Sequence, residues 1–331
     1  MTRTAKSRRY TVRTADGWKI VLYRYAPAGG ARPGQAPVFL VHGLGANRYN
    51  FDAPGKLSFA RHLAENGFDC WVIELRGAGR SSKPLPFNRH SFSWTFGDYY
   101  RHDVPAALNL IRDETGHEEV HWIGHSMGGM VAYAWLMTTE NPRLRSLTAI
   151  GSPCFHHVAN PLFDKIIGLR GLLNYVPSIP YAAASSLLVP VLPLFLETAG
   201  RLLANPRNLS LLDMVRLISL APENLPNTLI AQFAQWYAED GFRDPYGNMH
   251  YARELHRIDT PTLLVAGKID VLATPKDMQY VFDALGSEDK RLEIFGRERG
   301  CRHDYGHIDL VLGKYATEEV WPTMLDWLQT H

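Results

Sequence analysis

One stretch, Glu119-Val-His-Trp-Ile-Gly124-His-Ser126-Met-Gly128-Gly129, restricts the folds open to this chain more than any other. Residues 120–123 read as a short buried strand, Gly124 to Gly128 as a tight turn, and residues 130–136 as a helix that meets no proline before Pro142. A strand that turns at once into a helix needs a sheet with helices packed on it. A serine at such a turn has its hydroxyl pushed out of the sheet, and the flanking glycines keep neighbouring side chains from clashing. The helix aims its N-terminus at the place where negative charge would develop. Ser126 is therefore the candidate nucleophile. A glycine-serine turn without chemistry shares the motif; the strand before it and the helix after it select the nucleophile elbow.

The same alternation runs along the chain. Residues 9–14 and 19–25 read as two strands joined at Asp16-Gly17, and 38–41 as a strand buried on both faces that ends in His42-Gly43-Leu44-Gly45. Residues 57–66 predict a helix, 70–75 a strand, 98–114 a helix and 147–151 a strand. The rhythm then stops. Residues 154–250 are rich in leucine and proline, with helical stretches at 208–220 and 226–239. It resumes with a strand at 262–266, a helix at 275–285, a strand at 291–295 and a last helix at 317–328. The expected class is α/β, a mostly parallel central sheet flanked by helices. Residues 1–153 and 251–331 form its core, and 154–250 a mostly helical cap insertion of the kind that defines a pocket. A second lobe with only a packing role would give the same pattern.

Composition narrows the function classes. A chain of 331 residues with 46% hydrophobic and 21% charged residues buries a large core. A net charge of +2 gives no argument for nucleic acid, and Arg3, Lys6, Arg8 and Arg9 read as a solvated basic end. Cys70, Cys154 and Cys301 form neither a disulfide framework nor a zinc pattern. No signal-peptide run opens the sequence, and the longest apolar patch, residues 187–196, is about half a membrane span and carries Pro190 and Pro193. A cytoplasmic protein without an integral membrane segment is expected, with its oligomeric state left open.

A serine hydroxyl needs a base, and the base needs an orienting carboxylate. In elbow architectures the chain order is serine, acid, histidine. Asp270 lies directly after the 262–266 strand and fits the acid, although a loop aspartate capping the helix at 275 would look the same. His307 lies between the 291–295 strand and the last helix and fits the base, with His303 as its rival. Two backbone N–H groups must bind the oxyanion; Met127 and Leu44 are the expected donors. His42 is a candidate for substrate contact or for ordering its own loop. Phe195, Phe233 and Trp236 are candidates to line an apolar pocket, or simply to pack the insertion onto the core. Neither metal nor cofactor is expected.

These motifs, together with Arg76-Gly77-Ala78-Gly79-Arg80-Ser81, resemble the α/β-hydrolase superfamily over most of the chain outside the insertion. Gly306-His307-Ile-Asp309-Leu-Val-Leu-Gly313 is similar to the acid and gastric lipase branch, and also to polyhydroxyalkanoate synthases and depolymerases. Ser126 departs from the cysteine of the synthases and from the aspartate of dehalogenases and epoxide hydrolases, and Glu74 replaces an aspartate common before the Arg-Gly-x-Gly-x-Ser run. The resemblance implies a serine hydrolase cleaving hydrophobic carboxylic esters through an acyl-enzyme. A lipid-like or small-molecule ester is the expected partner. An acyltransferase or polyester depolymerase with the same triad is the alternative, and a non-catalytic ligand-binding relative is the alternative of another class.

Overall fold

The computed structural model describes residues 7–27, 29–30, 34–85, 90–154, 177–188, 203–238, 241–244 and 249–331. Strands β1 (Ser7–Arg13) and β2 (Lys19–Tyr25) form the expected hairpin, with Gly17 at φ 92° in the turn. Strand β3 (Val38–Val41) is apolar at every position and wholly buried; β4 (Cys70–Glu74) and β5 (Val120–His125) are also wholly buried. With β6 (Leu144–Ile150), β9 (Thr262–Gly267) and β10 (Lys290–Phe295) they make an eight-stranded sheet in the order β1-β2-β4-β3-β5-β6-β9-β10. Strands β4, β3, β5, β6, β9 and β10 pair parallel, and β2 runs against both its neighbours.

Helices cover both faces, as parallel strands buried on two sides require. One apolar cluster joins Phe39, Trp71 and Trp122 to α3 (Val104–Thr115), α4 (Met127–Thr138) and α9 (Pro275–Ala284). The other joins Val38, Leu40 and Val72 to α1 (Phe59–Glu65), α10 (Asp309–Leu312) and α12 (Trp321–Thr330). Between β6 and β9 the described residues form the short pair β7 (Ser178–Ile179) and β8 (Leu225–Pro226) and the helices α5 (Tyr181–Leu188), α6 (Leu211–Leu220), α7 (Asn227–Ala238) and α8 (Tyr251–Glu254).

Two helices differ from the sequence reading. The helix expected at 98–114 is α2 (Phe96–Asp98), then a π turn at Tyr99–Asp103, then α3. Pro105 has no N–H to give, so the ladder is interrupted there. The widened turn carries the buried Asp103, whose carboxylate accepts from the Arg76 backbone N–H at 2.9 Å and its guanidinium at 2.7 and 3.0 Å. The last helix is split into α11 (Ala316–Glu319) and α12, with Pro322 in the first turn of the second piece.

Candidate active site

The site lies where the parallel strands end, the edge at which ligands bind in open α/β sheets. Ser126 follows β5 directly and sits at φ 54°, ψ −120°, a conformation L side chains rarely adopt. The glycines around it are there for contact. A Cβ on Gly124 would stand 2.4 Å from the backbone of Gly128 and Gly129, and one on Gly128 would stand 2.0 Å from the Val41 carbonyl oxygen. The elbow thus closes tightly onto the end of β3. Ser126 N–H donates to the Ile150 carbonyl at 2.7 Å, which fixes the turn against β6.

Asp270 follows β9. Its Oδ1 accepts from Leu272 N–H at 2.8 Å and Ala273 N–H at 3.0 Å, and its Oδ2 lies 2.7 Å from His307 Nδ1. The carboxylate is fully buried and the imidazole nearly so. The acid and base picked by chain order therefore meet, and the imidazole on Asp270 is that of His307, not His303. Gly151, at φ 53° after β6, leaves the room they use: a Cβ there would lie 3.0 Å from His307 Nδ1 and 3.2 Å from Asp270 Oδ2. Ser126 is bonded to Ile150, the residue before Gly151. Among the described residues Ser126 Oγ makes no hydrogen bond, so the structure joins His307 to Asp270 and does not yet join Ser126 to them. Such bonds are often long before substrate binds.

The loop after β3 is ordered by side chains. Gly43 N–H donates to Asn50 Oδ1 at 3.0 Å, while the N–H groups of Leu44 and Met127 have no acceptor among the described residues. His42 is buried: its Nε2 accepts from Leu75 N–H at 3.2 Å, so Nδ1 carries the proton and gives it to the Gly43 carbonyl at 2.9 Å. Burial pushes its pKa down to about 4. Both nitrogens of His42 are thus engaged within the protein, in bonds that hold its own loop.

Trp236 is likewise buried, packed edge-on against Phe96 and Phe242, and Phe233 meets Phe96 edge-on and Trp236 at a tilt. These two aromatics fasten α7 to the core. Phe195 lies outside the described residues. The described residues hold one grouping of metal-ligand types, Asp16, Asp98 and His102, and Arg76 already donates to both Asp16 oxygens.

The sequence reading missed His125 and Asn50. The His125 ring lies 4.7 Å from that of His307, with Nδ1 3.0 Å from Asn50 Oδ1 and Nε2 3.2 Å from the His307 carbonyl oxygen. Both partners are acceptors. Burial, reinforced by the adjacent His307, holds the His125 pKa well below its usual value, so the neutral ring donates to one of them at a time. Nothing in the sequence ties Asn50 to the elbow; His125 stood inside the motif.

A serine at positive φ, a buried carboxylate–imidazole pair and two N–H groups with no acceptor among the described residues thus lie at the ends of the parallel strands. The chain belongs to the α/β-hydrolase fold family, whose model matches residues 36–308. Within that family it is of the lipase-like branch. It is 27% identical to mouse lipase member N, covering 98% of this chain and 88% of that one. It is 24% identical to rat gastric triacylglycerol lipase, covering 96% and 87%. An esterase from Exiguobacterium antarcticum shares the fold, with a TM-score of 0.63 at 18% identity over 96% of this chain and 98% of that one. No helix among the described residues is long and apolar enough to cross a membrane.

Proposed function

We propose that the protein is a serine carboxylic-ester hydrolase acting on hydrophobic esters. The observation that carries this reading is the 2.7 Å bond between His307 Nδ1 and the buried Asp270, at the sheet edge that also carries the Ser126 turn. His307 takes the Ser126 proton as Oγ attacks the ester carbonyl. Asp270 holds the proton on Nδ1, leaving Nε2 as the base, and stabilises the imidazolium that forms. Met127 and Leu44 N–H groups receive the oxyanion of the tetrahedral intermediate. The alcohol leaves with a proton from His307, an acyl-Ser126 remains, and water activated by the same imidazole releases the acid.

Residues 154–250 are the cap in this reading, and residues 1–153 and 251–331 the catalytic core. The lipase relatives, and the apolar side chains the insertion carries, support a hydrophobic acyl or alcohol group. Purified wild type is expected to react with a fluorophosphonate probe and to hydrolyse p-nitrophenyl esters. Ser126→Ala is expected to keep the fold and lose turnover by about 10⁴-fold or more. Near-normal turnover in that variant would remove Ser126 from the mechanism, and a sharp preference for acetate over longer acyl chains would remove the lipid-like substrate.

A further inference from the structure

The loop that carries His307 is not held by the core alone. Asp309, two residues on and fully buried, accepts Gly306 N–H at 3.0 and 3.2 Å, Asn205 N–H at 3.2 Å and Asn208 Nδ2–H at 2.7 Å. Asn205 and Asn208 belong to the insertion between β6 and β9. Their side-chain amides also donate to the Asp304 carbonyl, at 2.7 and 3.0 Å. The backbone of the same segment continues the clamp: Ile308 N–H donates to the Leu203 carbonyl at 2.8 Å, and Lys314 N–H to the Asn208 carbonyl at 2.7 Å. The approach is close enough that a Cβ on Gly306 would lie 3.0 Å from the Ala204 Cα. Residues 203–208 therefore grip the chain on both sides of His307.

We infer that Asp309 is a positioning residue for the base, and that residues 203–208 of the insertion form part of the mounting of His307. The inference rests on His307 being the base of the proposed reaction. A carboxylate with no proton can accept from all three partners at once; an amide in its place would set an N–H against the donors of Gly306, Asn205 or Asn208. A group displaced by a fraction of an ångström at a reacting centre costs turnover much more than binding, because the same error is felt in the transition state and little in the ground state.

The test compares Asp309→Asn and Asn208→Ala with wild type on one p-nitrophenyl ester. Circular dichroism and urea unfolding report on the fold. The downfield proton signal of His307 Nδ1–H reports on its bond to Asp270. In folded Asp309→Asn, kcat is expected to fall about 100-fold with KM changed less than about threefold, and the downfield signal to shift or broaden. Asn208→Ala, which leaves Asp309 untouched, is expected to show the same split at about tenfold. A folded variant of either kind with wild-type kcat and an unmoved signal overturns the inference, and if Asp309→Asn does not fold, Asn208→Ala decides. His307→Ala and Ser126→Ala are run alongside. If those two retain activity the proposed function has failed; if they are dead while the positioning variants are normal, only this inference has.

Discussion

Ser126 and Arg143 are the non-glycine residues at positive φ among those described, and Ser126 is the one that directly follows a strand and opens a helix. A backbone held in such a region costs of the order of 1–3 kcal/mol, which the surrounding contacts must offset. Here the offset is visible: the Ile150 bond, the contact of Gly128 with Val41, and the close fit of Gly124 under Gly128. Glycine takes this conformation without steric cost, at some loss of chain entropy on folding. Both Ser126→Gly and Ser126→Ala remove Oγ, so neither should turn over substrate, but only the glycine relieves the strain. Ser126→Gly is expected to be more stable than Ser126→Ala by about 1 kcal/mol in urea unfolding. Equal midpoints, or a less stable glycine variant, would show that the turn stores no strain at this residue.

At the scale of elements, the elbow is a strand and a helix that meet at van der Waals distance across the end of β3. Gly128→Ala would place a methyl 2.0 Å from a backbone oxygen that cannot rotate away, so α4 must move. We expect a loss of about 3 kcal/mol in urea unfolding together with loss of activity. Unchanged stability would mean that α4 slides freely over β3. Elements whose period and punctuation agree were legible in the sequence: the buried runs of β3, β5 and β9, the hairpin at Asp16-Gly17, and α9 opening with Pro275. Where a proline sits inside a helical pattern the reading ran on, so the π turn before Pro105 and the break before Pro322 were missed. Chain order was enough to single out Asp270 and His307, because each follows a strand end in a known sequence of elements. Asn50, Asn205 and Asn208 were not legible, since a polar side chain that satisfies a distant loop leaves no periodic trace. The apolar residues of the insertion were ambiguous in the sequence because pocket lining and helix packing call for the same side chains; in the structure Trp236 is buried against Phe96.

Taken as a whole, the molecule buries histidines that it cannot protonate without cost, and this sets how it meets acid. Burial pushes His42 and His121 down to about 4 and His125 well below its usual value. In the unfolded chain each takes up a proton near pH 6.5. Below that pH the unfolded state binds protons that the folded state refuses, so folding stability falls as pH drops through 6.5 toward 4. Buried carboxyls act in the opposite sense. Asp309 is raised to about 6 by burial, against the hydrogen bonds of Asn208, Gly306 and Asn205 that favour its charged form. Glu74 and Asp103 are also raised, chiefly by burial. Their folded forms take up protons before their unfolded forms do, which returns stability as pH falls through the folded value. The histidine loss begins at higher pH than the Asp309 gain, so from pH 7.5 to 6 the histidines dominate. Stability measured by urea unfolding is expected to drop by on the order of 1 kcal/mol over that interval. Below pH 6 the one proton taken up by Asp309 offsets part of the loss from the three histidines, and the decline continues. Asp309→Asn, which has no proton to gain, should steepen the decline below pH 6. A stability that holds or rises from pH 7.5 to 6 would mean that the three histidines are solvated or charged in the folded protein. The packing of His125 against His307 would then need a different account.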